Sequence, residues 1–310
     1  MHLLHGDVSD KARVTAHATA PDVGHPAATR DLEKLVAASD DHARARIVGH
    51  LVFIFAQTLG EESRANGKLE YMESSPGLGR FAEVVARDDF SLDHATLLIG
   101  AWEYPTRDLD AYRAMLDDIA ERAAPDVERA ADGAERAHAI SGWLFERMGF
   151  AGNLEDYYDP RNSFLCEVID RRIGIPISLS VVYLEVARRV GVLAQGVNFP
   201  GHFLVRVAIE DAWLFIDPYS GGRALAPADL EQLLRKTTTP TAVLEPSVIA
   251  AASKRQIVAR MLVNLAGIYG RNGDLPRSLD VLERLAILEP QNPRIARDLA
   301  QLRERVDGLN

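Results

Sequence analysis

A chain of 310 residues with 47% hydrophobic and 26% charged side chains holds enough apolar material for one large or two modest globular domains. Its formal net charge of −10 leaves no basic excess to displace counterions, which argues against non-specific nucleic-acid binding. A single cysteine, Cys166, excludes an internal disulfide framework and fits a reducing, cytoplasmic compartment.

Residues 1–30 lack the apolar core of a signal peptide. His2, His5, His17 and His25 are scattered along them with no second element to fix them, so a mobile tail is favoured over a metal site. Residues 31–59 read as a helix, and their apolar block, residues 51–56, is far short of the ~20 residues a membrane span needs. Residues 74–80 (SSPGLGR) read as a loop and a boundary, without the GK[ST] of a phosphate loop.

Helices are then predicted over residues 92–102, 108–123 and 134–148. The second carries the stripe Leu109, Tyr112, Leu116 and Ile119, and the third uses Ile140, Leu144 and Met148. Trp102 and Trp143 read as core anchors. Residues 155–162 (EDYYDPRN) form a turn-rich acidic and aromatic stretch that could rim a cleft, with an ordinary surface loop and a helix cap at Asn162 or Ser163 as the favoured reading. The helix predicted over residues 162–172 sets Cys166 among Phe164, Leu165, Val168 and Ile169, the surroundings of a buried, inert thiol.

The stretch 174–222 carries the chemistry. Gly174 and Pro176 interrupt the preceding helix, and Ser178 suits a cap or first turn. Leu179, Val182, Val186 and Val190 then recur at helical steps, with Glu185, Arg188 and Arg189 as the wetter side and Gly191 as the stop. An exposed N-terminus on this core helix would suit an anion or a developing oxyanion. After it, residues 203–209 alternate with a period of two, residues 213–217 read as their partner, and Glu210-Asp211 is the turn. A two-residue turn sets Ile209 opposite Ala212 and Leu204 opposite Asp217, and makes His202 the diagonal neighbour of Asp217, roughly 7 Å away at Cα. A three-residue turn would send the two side chains to opposite faces. A histidine held by an aspartate is two-thirds of a nucleophile triad, although two such residues can also merely satisfy each other at a sheet edge.

Pro227 opens a helix through Arg235, and residues 236–253 read as a linker or extended connection. Beyond it Leu262, Leu265, Ala266, Tyr269, Gly273, Ser278, Leu282, Leu285 and Pro290 fall at the offsets of a tetratricopeptide repeat, followed by a helix over residues 293–306.

The words NSFLCEVIDRRIGIPISLSVVYLEVARRVG, FPGHFLVRV and FIDPYSGG resemble the SirB branch of the transglutaminase-like superfamily. With the helical lead-in and the tail, the resemblance covers roughly two-thirds of the chain. It implies an α+β, papain-like core with helices packed on an antiparallel sheet, plus an α-helical C-terminal repeat. The domains expected are an N-terminal extension (1–87), the core with its lead-in (88–240) and the helical tail (250–310). His202 takes the catalytic histidine slot and Asp217 the aspartate slot. The superfamily's nucleophilic cysteine opens the core helix, whereas this chain has Gly-Ile-Pro-Ile-Ser there; Pro176 is closest to that slot and Ser178 is the nearest hydroxyl.

The candidate triad is therefore Ser178, His202 and Asp217, with the nucleophile open, and the candidate substrate contacts are Pro176, Asn198 and Tyr219. No HExxH, CxxC or dinucleotide fingerprint points to a metal or cofactor. The superfamily's amide chemistry implies a protein or peptide partner. Three readings remain: a non-classical member acting by binding, an acyl hydrolase or peptidase using Ser178, and a structural interaction module.

Overall fold

The computed structural model describes residues 77–87 and 89–307. The helix expected over residues 31–59, the apolar block within it and the four scattered histidines lie outside the described residues. Within them the chain is α+β, as expected. Four helices lead in: α1 (Leu78–Val85), α2 (Leu92–Leu98), α3 (Leu109–Arg129) and α4 (Gly133–Ser141), the last running into a π-helical turn at Gly142–Arg147. Strand β1 (Ala151–Gly152), a 3-10 turn (Pro160–Ser163), α5 (Leu165–Arg171), β2 (Ile173–Gly174) and α6 (Pro176–Arg189) follow. The main sheet is β3 (Ala194–Val197), β4 (Leu204–Ile209), β5 (Ala212–Asp217) and β6 (Arg223–Leu225). Helices α7 (Pro227–Thr237), α8 (Lys254–Asn272), α9 (Leu275–Leu288) and α10 (Pro293–Asp307) complete it.

Several local expectations change. The loop expected over residues 74–80 gives way to α1 at Leu78, because Leu78, Phe81 and Val85 bury one helical face. Asp108 caps α3 by accepting from the backbone N–H groups of Asp110 and Ala111, and the helix continues through Pro125 to Arg129, past the predicted end. Asp159, rather than Asn162 or Ser163, supplies the cap of the 3-10 turn, and α5 starts only at Leu165.

Helix α6 is the hub, apolar nearly all round, and it packs against α2, α3, α4, α5, α8 and β4. Its predicted wet side is corrected in part. Glu185 is buried, and Arg189 donates to Asp93, Asp117 and Glu185, so these two close over an ion cluster, while Arg188 stays exposed as expected.

The four strands form an antiparallel meander in the order β3-β4-β5-β6. Ile209 pairs with Ala212 and Val205 with Ile216, the register of a two-residue turn, with Glu210 in the left-handed region at φ 46°. Both faces are covered. Phe203, Val205, Val207 and Ile216 join the core around α6, while Leu204, Phe215 and Leu225 join Leu230 and Leu234 of α7. That explains an apolar run denser than alternation alone requires. The segment expected as a linker or extended connection closes the β3 edge with its last residues: Val197 bridges Ala251, and the Ala252 N–H donates to Gly196 O at 2.8 Å.

In the tail, Gly273 sits at φ +67° between α8 and α9, and Asp274 caps α9. Leu262, Leu265, Val281 and Leu285 belong to the same buried cluster as Phe81 and Val205, so one continuous core runs from α1 to α9. No helix among the described residues is long and apolar enough to cross a membrane.

Candidate functional site

The strand stops short of His202, which lies in the bend before β4. Gly201 makes that bend with φ +66°, and a side chain there would also run into Thr237. The bend delivers His202 Nε2 to Asp217 Oδ1 at 2.9 Å, with the residues 8% and 5% exposed. Asp217 is fixed from its other side, where it caps the 3-10 turn Pro218–Ser220. Oδ1 accepts from the Tyr219 and Ser220 N–H groups, and Oδ2 from Ser220 Oγ at 2.7 Å. Burial works to raise the Asp217 pKa, but the His202 contact and the Ser220 hydrogen bonds hold it below the ordinary carboxylate value. A carboxylate only accepts, so Nε2 carries the proton; Nδ1 makes no hydrogen bond among the described residues and is the nitrogen left for a ligand.

Ser178 points elsewhere. Its hydroxyl donates to Asn162 O at 2.6 Å and accepts from the Ile175 N–H at 3.0 Å, in a side chain with no exposed surface. It is the third residue of α6 reaching back to cap it, while Pro176 opens the helix at a position where a missing N–H costs nothing. Cys166 is buried among apolar neighbours, and burial pushes its thiol up to about 11 against the pull of Arg107. Among the described residues, the only hydrogen bond of the His202 side chain is to Asp217. Asn198 is exposed, and its Oδ1 accepts from Arg260 at 2.9 Å.

A model of the transglutaminase-like superfamily matches residues 110–263, a span that includes Ser178, His202 and Asp217. The chain is 37% identical over 221 residues to a UPF0162 protein of Xylella fastidiosa (strain Temecula1), covering 69% of this chain and 79% of that protein. The chain belongs to the UPF0162 family, within the transglutaminase-like superfamily. A UPF0162 protein of Pseudomonas aeruginosa is 31% identical over 67% of this chain and 76% of its own length. F-box only protein 21 of Mus musculus is 34% identical over 143 residues, 44% of this chain and 22% of that protein. No solved structure matches the chain.

In this UPF0162 chain the third predicted contact, Tyr219, stands beside the pair with its ring edge-on to His202 at 6.1 Å. Its hydroxyl donates to Asn153 O at 2.9 Å, and Gly152 admits the ring, since a Cβ there would sit 2.5 Å from it. The short parallel pairing of β1 with β2 sets this platform: Ala151 lies opposite Ile173, and the Asn153 N–H donates to Gly174 O, just ahead of α6. Sequence reasoning missed the residue that ties the parts together. Asn162, treated there as a cap, is fully buried; its Nδ2 donates to Asp156 O, its Oδ1 accepts from Asn153 Nδ2, and its carbonyl receives Ser178. It also missed Tyr157, edge-on to both Tyr158 and Tyr219. The nearest signal was the acidic and aromatic loop itself.

Two surface cavities lie away from His202. One of about 410 Å³ sits between α1 and α9, lined by Val85, Arg255 and Leu288. The other, about 340 Å³, is lined by Tyr104, Asp159, Arg161 and Arg277. No group of three or more metal-binding side chains occurs among the described residues.

Proposed function

We propose that this chain is a SirB-type, cytoplasmic member of its superfamily that acts by binding a protein or peptide, without acyl transfer. Its core would span residues 88–240, and residues 250–310 would form a tetratricopeptide-like scaffold. The observation that carries this reading is the fate of the nucleophile. The Ser178 hydroxyl is committed to Asn162 O and the Ile175 N–H, the Cys166 thiol is buried, and neither hydrogen-bonds to His202. Nucleophilic catalysis needs the attacking atom within about 3 Å of its base, which neither provides here. What persists is a rigid imidazole with one nitrogen uncommitted and an aromatic neighbour, and these features support the binding reading.

The test is hydrolysis of p-nitrophenyl acetate and of a glutamine-containing model peptide by the purified chain. No turnover dependent on His202 is expected. Ser178→Ala should lower stability by about 1 kcal/mol through the lost cap, read as a fall in the denaturation midpoint. Turnover abolished by both Ser178→Ala and His202→Ala would establish the acyl hydrolase instead.

A further inference from the structure

Along α8, Arg260, Asn264, Gly267 and Arg271 recur at the steps of one helical face. Arg260 is half-buried, and its guanidinium donates to the neutral Asn198 Oδ1. Arg271 lies over the Tyr158 ring, 4.1 Å from its centroid. Neither has a carboxylate within ion-pair distance among the described residues. Other arginines do find acids: Arg277 pairs with Glu103 and Arg161 with Asp159. Arg172 and Arg206 also donate to neutral oxygens, without an acid among the described residues. Arg260 and Arg271 differ in lying on one face of the same helix, in a chain of net charge −10. Burial lowers the pKa of Arg260, with Tyr157 as the ionisable group that opposes the shift.

The two cations are joined to the candidate site by a row of rings. Tyr158 meets Tyr157 at 5.2 Å, Tyr157 meets Tyr219 at 6.1 Å, and Tyr219 meets His202 at 6.1 Å. Eleven residues of helix separate the arginines by about 16 Å along the axis, which an extended peptide spans in about five residues. That distance is too long for one small anion to bridge. Guanidinium recognises carboxylate through paired, charge-assisted hydrogen bonds, and tyrosine faces suit apolar side chains between them.

We propose that Arg260 and Arg271 form a peptide-binding strip beside His202, taking an extended acidic segment whose carboxylates lie about five residues apart. It rests on the binding reading above and adds the chemical class of the partner. The probe is the peptide acetyl-Glu-Leu-Ala-Phe-Ala-Glu-amide, set against its analogue with glutamine at both ends, and titrated into the full chain by calorimetry. The acidic peptide should bind about tenfold tighter than the analogue, with that preference shrinking as salt is raised. Arg260→Gln and Arg271→Gln should each weaken the acidic peptide about fivefold and leave the analogue unchanged. Melting curves check that both variants fold, and Arg271→Gln, at an exposed position, keeps the test alive if Arg260→Gln does not. Equal affinity for the two peptides, no binding of either, or displacement by inorganic phosphate at the peptide's own concentration would each overturn the strip. Cleavage of the bound peptide would overturn the non-catalytic reading and still support the strip.

Discussion

Two buried polar constellations flank helix α6, and they are built on opposite rules. Near its C-terminal end, Asp93 and Arg189 form a closed cluster. Arg189 spreads its guanidinium over Asp93, Asp117 and Glu185, and Asp93 also takes the Ser91 hydroxyl and the His94 N–H. Near its N-terminal end, the turn that follows Asp217 is tied to the start of α6 through Tyr219, Asn153 and Gly174, and the imidazole held there keeps one nitrogen uncommitted. A cluster with every charge answered holds the fold together. A pair with one position open is available to something else.

The largest effect should come from breaking the closed cluster. Asp93→Asn leaves the inward side of Arg189 facing a neutral amide, and removing one partner of a buried pair costs about 3–5 kcal/mol. Urea denaturation should show that loss while the calorimetric response to the acidic peptide stays as in the parent chain. Burial opposes ionisation of Asp93, but the Ser91 hydrogen bond and then Arg189 bring its pKa down to about 2. A folded pKa below the unfolded value gives stability that is full above pH ~4 and disappears as pH falls toward 2, on the order of 2 kcal/mol. The parent chain should lose that increment in acid and Asp93→Asn should not. A flat difference between the two across this window would mean the cluster is not what holds α2 to α6.

Asp217→Asn sharpens the other side. The carboxylate accepts from His202, Ser220 Oγ and two backbone N–H groups, so its replacement should cost about 2 kcal/mol, less than at Asp93 because an asparagine oxygen can keep the cap. Its pKa too is depressed, so this contribution is present above the ordinary carboxylate range and lost as pH falls through the lowered value. The amide can no longer fix the protonated Nε2, and the His202 ring resonances in NMR should show exchange between tautomers. A sharp, unchanged His202 signal in Asp217→Asn would show that the aspartate only caps the turn.

What the sequence made legible follows from locality. The hairpin register was readable because a two-residue turn at Glu210-Asp211 leaves one way to pair alternating strands, and that register brings His202 to Asp217. The fold class was readable from the run of words around α6. The wet side of α6 is legible only at Arg188, because Glu185 and Arg189 look like solvent residues until Asp93, 96 positions away from Arg189, is brought against them. Asn162 reads as a cap in the sequence because its partners, Asn153, Asp156 and Ser178, come from both directions along the chain. The arginine strip was invisible for the same reason: a missing counter-charge is a property of the packed surface, not of the helix that carries it.

Cys166 supplies the finest test of the contrast, since it could belong to either kind of site. It stands in the first turn of α5 close to Arg107, a setting that would lower a thiol pKa if water reached it. The fold decides otherwise: the side chain is buried, and desolvation outweighs the arginine, lifting the thiol to about 11. At pH 8 only about one molecule in a thousand then carries the thiolate, so a disulfide reagent should modify the native chain slowly and the denatured chain at once. Cys166→Ala should cost about 1 kcal/mol, the value of a small buried group, and leave peptide binding unchanged. Fast, stoichiometric labelling of the native protein would move Cys166 to the open class and reopen the search for a nucleophile, because the thiol would then be reaching solvent by a route the packing around α5 does not provide.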